Sequence, residues 1–385
     1  MAFSEHGRQA RRDFLIAALA LPALLLAGCQ TSRQGPVAPR PDVQDTRPTA
    51  LPDRPRNLVA VIVPITGPDA AIGQSMANAA NLALADTRDQ SLRLTFYNSA
   101  GAGGAAGAAQ RAIADGNRLI LGPLLAEDVR AAAPFARRAE VPVVAFSNDE
   151  RVAGNGVYIM GFTPTQSIGR VVAHAAGIGR KRFAALVPTG LYGQRASEAA
   201  REAVRRTGGR LTLVEQFDRS PAAIRSAASR LKAKGDFDAV LIGDSGRMAA
   251  VAAPALPRTA TLLGTELWAS ETALGKTAAL RGAMFAAAPD TRFNQLSTRY
   301  RARYGKSPYR LASLGYDAVL LAVRSSKDWP VGRPFPVRGL IDKDGFAGVD
   351  GSFRFGRDGI AERLLEVRQV TATGTSVVAP AGKAF

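Results

Sequence analysis

The chain has 385 residues, 46% of them apolar and 6% aromatic, and its 50 Lys and Arg against 32 Asp and Glu give a formal charge of +18. That length and apolar share allow two lobes of ordinary size, each with a large core. A single cysteine, Cys29, excludes an internal disulfide and a thiolate metal site, and the two histidines, His6 and His174, leave little room for histidine-dependent chemistry.

Residues 1–28 read as an export leader outside the fold. Arg11-Arg12-Asp13-Phe14-Leu15 has the twin-arginine pattern, and the apolar stretch Phe14–Ala27 that follows is too short for a comfortable transmembrane helix. General secretory leaders also carry paired arginines, so the export route stays open. The leader ends in Leu26-Ala27-Gly28-Cys29, which resembles a bacterial lipobox, with small residues before a thiol that would carry diacylglycerol. Cys29 is therefore the expected lipidation site. Gln30 at the next position favours sorting to the outer membrane, which places the protein in the periplasm on that membrane's inner leaflet. Residues 29–57 hold six prolines from Pro36 to Pro55 and no apolar period, the composition of a linker that reaches roughly 80 Å when extended. A strongly basic chain suggests nucleic acid. An exported one instead meets anionic lipid headgroups and acidic cell-wall polymers, unless the arginines are only compositional bias.

From Leu58 onward strands and helices alternate. Leu58–Val63 is a β-branched run bounded by Pro64, as expected of a strand buried on both faces. A Gly/Pro turn leads into a helix whose apolar stripe is Ile72, Met76, Ala79, Ala80 and Ala83. Strands are expected at 92–97, 118–121, 141–146 and 157–161, with helices at 104–115 and 128–138 between them. Thr163–Gln166 opens a helix over 167–176 and marks the first crossing between lobes. A second series follows, with strands at 183–187, 211–216, 239–242, 261–264 and 282–287. Its helices lie at 194–207, 221–234 and 247–255. The helices 293–304 and 311–323 look like a return to the first lobe, and 353–355 with 364–370 reads as a hairpin around Gly356–Gly359. The fold class is α/β, two Rossmann-like lobes joined by several crossings around a central cleft. Residues 58–160 with 290–345 form the expected N-terminal lobe, and 161–289 with 346–385 the C-terminal lobe.

Few motifs carry chemistry. Gly101–Ala106 fits G-x-G-x-x-A formally, but it occupies the second βα turn and lacks the acid about 20 residues on, so a glycine-rich loop opening an Ala-rich helix is the better reading. Gly243-Asp244-Ser245-Gly246 has the form of a serine-protease nucleophile loop, yet His174 sits among apolar neighbours in SIGRVVAHAAG as an ordinary half-buried helix residue. No phosphate-binding loop and no metal spacing is present, so neither a cofactor nor a metal is expected.

The stretches VPITGPDAAIGQ, AIADGNRLILGPL, VPVVAFSND, LVPTGLYGQ, FDAVLIGD, LLGTELW and SLGYDAVLLA, in that order and spacing, resemble type I periplasmic binding proteins of the branched-chain amino-acid family from Leu58 to Val370. FSND, GTELW and the ending GVDGSFRFGRDGIAERLLEVRQV are most similar to that family's relatives, the penicillin-binding-protein activator lipoproteins. The resemblance implies that loops after the third and fourth strands fix a ligand carboxylate with hydroxyls and backbone N–H groups. A tyrosine stacks on the ligand, and an acid in the second lobe pairs with its ammonium. Carried onto this sequence, Ser147 and Asn148 fall in the carboxylate loop, Tyr192 matches the tyrosine and Glu266 in GTEL the acid; Asp244, at a neighbouring strand end, completes the expected ligand-binding set.

Two departures oppose a free amino acid. Leu124-Leu125 stands where the family has a serine, and Asp149 and Glu150 follow Asn148, where two carboxylates would repel a ligand carboxylate. The implied function is a non-enzymatic lipoprotein that contacts and activates a penicillin-binding protein in cell-wall synthesis, with no detectable binding of leucine, isoleucine or valine. The alternative is a solute-binding receptor that feeds amino acids or another small polar ligand to an ABC permease, the lobes closing on the ligand. An enzyme would lack nucleophile, base and metal.

Overall fold

The computed structural model describes residues 55–385. The leader, Cys29 and most of the Pro-rich linker lie outside those residues. Five parallel strands form the first sheet: β1 Asn57–Val63, β2 Leu92–Asn98, β3 Leu119–Leu121, β4 Val143–Ala145 and β5 Val157–Ile159, in the order β2-β1-β3-β4-β5. Between them run α1 Ala70–Thr87, α2 Gly104–Ala114 and α3 Ala126–Arg138. In β1, Val59, Val61 and Val63 enter one core while Ala60 and Ile62 enter another, so helices cover both faces. That double burial is why the strand reads as an unbroken apolar run.

After β5 the chain passes into α4 Pro164–Gly177 and builds a second layered unit. It comprises β6 Arg182–Pro188, α5 Leu191–Arg206, β7 Arg210–Phe217, α6 Pro221–Lys234, β8 Ala239–Ile242, α7 Gly246–Ala252, β9 Thr261–Gly264 and β10 Met284–Ala287. The chain then returns through α8 Thr291–Tyr304 and α9 Ala312–Ser325, whose apolar side chains join the core around α1. The short strands β11 Phe346–Gly348, β12 Gly351–Phe355 and β13 Ala361–Arg363 form an antiparallel sheet. Finally β14 Glu366–Val370 and β15 Thr375–Ala379 extend the second sheet, whose order is β15-β14-β10-β9-β8-β6-β7.

The lobes open alike. Val63-Pro64 leads to Gly73-Gln74 in α1, and Val187-Pro188 leads to Gly193-Gln194 in α5. A Cβ on Gly73 would stand 1.8 Å from the Pro64 carbonyl oxygen, and one on Gly193 1.6 Å from that of Pro188. Glycine at these points lets the helix lie directly on the end of its strand. Both loops face the carboxyl ends of parallel strands, the edge where open α/β sheets place ligands.

Two features of the tail differ from the sequence expectation. The hairpin partner of β12 is Ala361–Arg363, while Glu366–Val370 leaves to pair antiparallel with β10. Phe346, Phe353, Phe355 and Ala361 lie in the core of the first lobe, so residues 346–363 pack there and not in the second lobe. Burial of three phenylalanines outweighs the chain's nearness to β14; each is worth roughly 1.5–3 kcal/mol when buried. The chain therefore crosses between lobes three times, between β5 and α4, between β10 and α8, and between β13 and β14. The Gln166 side chain ties the first crossing to the third, accepting from the Arg363 N–H at 2.9 Å and donating to the Ala361 carbonyl.

Candidate functional site

The three crossings leave a cleft between the carboxyl edges of the two large sheets. It contains a cavity of about 210 Å³. Phe146 and Leu311 line it from the first lobe, Leu267 and Leu365 from the second, and Phe162 from the crossing between them. Its polar side chains include Asn148, Glu266 and Arg310.

Glu266 sits just past β9, where Thr265 caps a short 3-10 turn by accepting from the Leu267 N–H at 3.4 Å. One carboxylate oxygen accepts from the Tyr192 hydroxyl at 2.9 Å, and the other accepts from the Ser167 hydroxyl. Burial raises the Glu266 pKa above the ordinary carboxylate range, and the hydrogen bonds from Ser167 and Tyr192 offset only part of that. No Lys or Arg forms an ion pair with it among the described residues. Tyr192 lies behind this carboxylate, also bonded to the Thr265 hydroxyl at 3.0 Å, and is not a wall of the cavity. Burial, then the Glu266 charge, pushes its phenol well above the usual range.

The other expected residues separate. Asn148 is exposed and lines the cavity. Ser147 is buried and its hydroxyl accepts from the Asp149 N–H at 3.1 Å, inside its own loop. Asp244 is turned aside, accepting from Arg219 Nε at 3.0 Å and from the Ser245 N–H at 2.6 Å. Its carbonyl receives the indole N–H of the fully buried Trp268 at 2.9 Å. Neither Ser147 nor Asp244 lines the cavity.

Asp149 corrects the sequence reading most sharply. Its buried carboxylate pairs with Arg130 at 2.6 Å and with Arg195 of the second lobe at 3.1 Å, and also accepts from the Arg151 N–H at 3.2 Å. Burial alone would raise its pKa; the Arg151 N–H, Arg195 and Arg130 outweigh that and hold it below the usual range. Glu150 accepts from the Thr165 hydroxyl at 3.0 Å. Asp149 therefore does not present an uncompensated charge to a ligand carboxylate. The pair Arg151–Glu198 at 2.9 Å continues the same bridge between lobes.

Sequence reasoning missed Ser167 and Arg310. Ser167 lies in the first turn of the helix after the crossing, and its hydroxyl points back at Glu266. The Arg310 guanidinium is held by Asp350 and by the Ser313 hydroxyl at 3.2 Å, and it stacks 4.2 Å from the Phe293 ring centre. Its Nε is buried without a hydrogen-bond partner. Further inside, Asp317 accepts from the Val349 N–H at 2.7 Å; burial, then the nearby Asp350, pushes its pKa up to about 7. His174, half-buried on α4, has its pKa lowered by burial and by Arg170.

The profile of the family described as periplasmic binding proteins matches residues 58–375. The chain belongs to that family. Its fold is that of the type I, leucine-binding-protein-like members of the superfamily. Members are binding proteins of the periplasm, and the cleft is where such proteins are built to hold a small ligand. Similar solved structures include a putative branched-chain amino acid ABC transporter protein from Rhodospirillum rubrum, 20% identical with a TM-score of 0.72, covering 84% of this chain and 100% of that one. A leucine binding protein from Thermotoga maritima is 22% identical with a TM-score of 0.64, covering 85% and 99%. A solute binding protein of an ABC transporter from Rhodopseudomonas palustris, solved with 3,4-dihydroxybenzoic acid, is 20% identical with a TM-score of 0.68, covering 86% and 97%. At these identities the likeness establishes the shared two-lobed fold. An uncharacterised protein of Rickettsia prowazekii is 24% identical over 179 residues, 46% of this chain and 48% of its own length. The chain thus spans about half the length of that curated relative.

Proposed function

We propose that this periplasmic binding protein is a solute receptor that takes a small ligand with an amine head and an apolar body into the interlobe cleft and presents it to an ABC permease. The observation that carries this reading is Glu266. A carboxylate held by two hydroxyls, with no ion pair among the described residues, faces a cavity walled mostly by Phe, Leu and Ala, whose one cation, Arg310, is already engaged by Asp350. Such a carboxylate gains most when a cationic or hydrogen-bond-donating group arrives. The apolar walls reward a hydrocarbon body at about 25 cal/mol per Å² removed from water. Relatives of the same fold include a leucine binding protein and a complex with isoleucine, which supports an apolar amino acid as the first ligand to try. The Asp149 pairs remove half of the case against such a ligand; Leu124-Leu125 keeps the other half, since no hydroxyl is offered there. Calorimetry with leucine, isoleucine and valine tests the reading. Saturable binding that Glu266→Gln weakens supports it, and the absence of heat for all three at millimolar concentration removes the amino-acid form of it.

The second reading is an interaction partner of a penicillin-binding protein, favoured by the bridge of Asp149–Arg195 and Arg151–Glu198, which joins the lobes without a ligand. A pull-down from solubilised envelopes distinguishes the two by recovering a permease or a synthase. Anchoring through Cys29 at the outer membrane belongs to either reading, and membrane fractionation of Cys29→Ser tests it; unchanged fractionation would refute the anchor.

A further inference from the structure

The second lobe carries a second concavity, at the other end of its strands from Glu266. The cleft lies past the carboxyl end of β9, whereas this groove lies at the amino ends of the same strands. Thr261 begins β9, Arg281 precedes β10, and Arg180 precedes β6. The groove has a volume of about 680 Å³. Its polar side chains are Arg180, Arg258, Arg281, Thr259, Thr261 and Thr277; the rest of its wall is alanine, proline, leucine and glycine. No carboxylate lines it.

Three guanidiniums line one groove with no acid among them. Other arginines of the same lobe do have acid partners, as with Arg182 and Asp236 at 2.9 Å or Arg230 and Glu215 at 3.0 Å. Here, among the described residues, no ion pair forms with Arg180, Arg258 or Arg281. Arg180 Nε is buried and has no hydrogen-bond partner. Arg281 Nε donates to the Gly275 carbonyl at 3.1 Å, which fixes its plane and leaves its terminal nitrogens unassigned. Asp238, whose carbonyl receives the Thr261 N–H, does not help. Its carboxylate accepts from the Lys181 and Arg182 N–H groups and faces the Arg182 guanidinium at 3.7 Å.

We propose that this groove binds a multiply charged oxyanion, a phosphate or phosphate ester. Planar guanidinium forks match phosphate oxygens bidentately, and threonine hydroxyls supply further donors. Three fixed positive charges call for more than the single charge of a carboxylate. The overall charge of +18 adds a favourable field around the site. The same chemistry is offered by soluble phosphate esters and by phospholipid headgroups. The proposal does not rest on the solute-receptor reading, because none of these residues lines the cleft.

The test titrates the full chain with inorganic phosphate and pyrophosphate, with acetate at matched ionic strength as the control. Saturable phosphate binding, tighter for pyrophosphate and absent for acetate, is expected. The double variant Arg258→Gln with Arg281→Gln should weaken it on the order of tenfold or more. Both side chains are exposed, so an unchanged melting temperature without phosphate verifies that this variant is folded. Arg180→Gln supplies an independent variant at the unpartnered nitrogen. Phosphate binding no better than acetate, or equal in wild type and double variant, overturns the proposal. Co-sedimentation with vesicles of equal parts phosphatidylcholine and phosphatidylglycerol then separates the sources. Vesicle binding that the double variant loses and free phosphate competes away assigns a lipid headgroup; phosphate binding without vesicle binding assigns a soluble ester.

Discussion

Two carboxylates at the lobe junction sit in opposite electrostatic settings. Asp149 at the rim is buried and compensated twice, by Arg130 and Arg195. Glu266 in the cleft is compensated by hydroxyls alone. The first has its proton affinity lowered and the second raised, although burial pushes both upward. A charge that carries its own counter-charges holds structure together. A charge held by neutral donors keeps its attraction for a cation that is not part of the protein.

The largest loss of stability is expected at Asp149. Asp149→Ala leaves the largely buried Arg195 with only its longer contact to the exposed Glu198, at 3.5 Å, and should cost about 3 kcal/mol in urea denaturation. A loss below about 0.5 kcal/mol, the scale of an ordinary surface change, would mean the rim pairs are incidental. Because Asp149 titrates below its unfolded value, its contribution is full at neutral pH. It disappears as pH falls through the carboxylate range toward the folded value.

Glu266→Gln should act oppositely, on binding and not on stability. Losing a charge-assisted contact of about 1.5–3 kcal/mol weakens an amine ligand roughly 10- to 150-fold by calorimetry. A raised folded pKa means that wild-type stability falls as pH rises from the unfolded toward the folded value. The glutamine variant removes that decline, so its melting temperature at neutral pH should equal or exceed that of wild type. A large destabilisation would show that Glu266 is structural after all.

Asp317 is a third buried carboxylate, inside the first lobe. Its pKa of about 7 lies above the unfolded value, so the folded chain holds an extra proton between about pH 4 and 7. Stability should decline with pH across that window, and Asp317→Asn should flatten the decline, measured as urea midpoints from pH 5 to 8. An unchanged slope would place the titration elsewhere. The smallest effect belongs to the exposed rim pair: Arg151→Gln should cost under about 1 kcal/mol, since Arg151 and Glu198 are both more than half exposed.

The alternation of strand and helix was legible in the sequence for a physical reason. Strands covered on both faces, such as 58–63 and 239–242, must be apolar throughout, and their helices must carry one apolar stripe. Glu266 was singled out only because GTELW resembles a known pattern, and it lies in the cavity wall. Ser167, its second hydroxyl, was not, since it lies 99 residues away and nothing local marks it.

What composition and order determined by themselves is the α/β class, the two βα series and the scarcity of cysteine and histidine. Tertiary structure decided the rest. Asp149 looked like a repulsive charge because its compensating arginines stand 19 and 46 residues away in the chain. The sequence EVRQV said that 366–370 is a strand, but not that it would abandon β12 for the edge beside β10. Three phenylalanines at 346, 353 and 355 settled which lobe their strands join, by the apolar area they bury there. Charge compensation and apolar burial both depend on distance in space, and the linear chain records only which groups are available to meet.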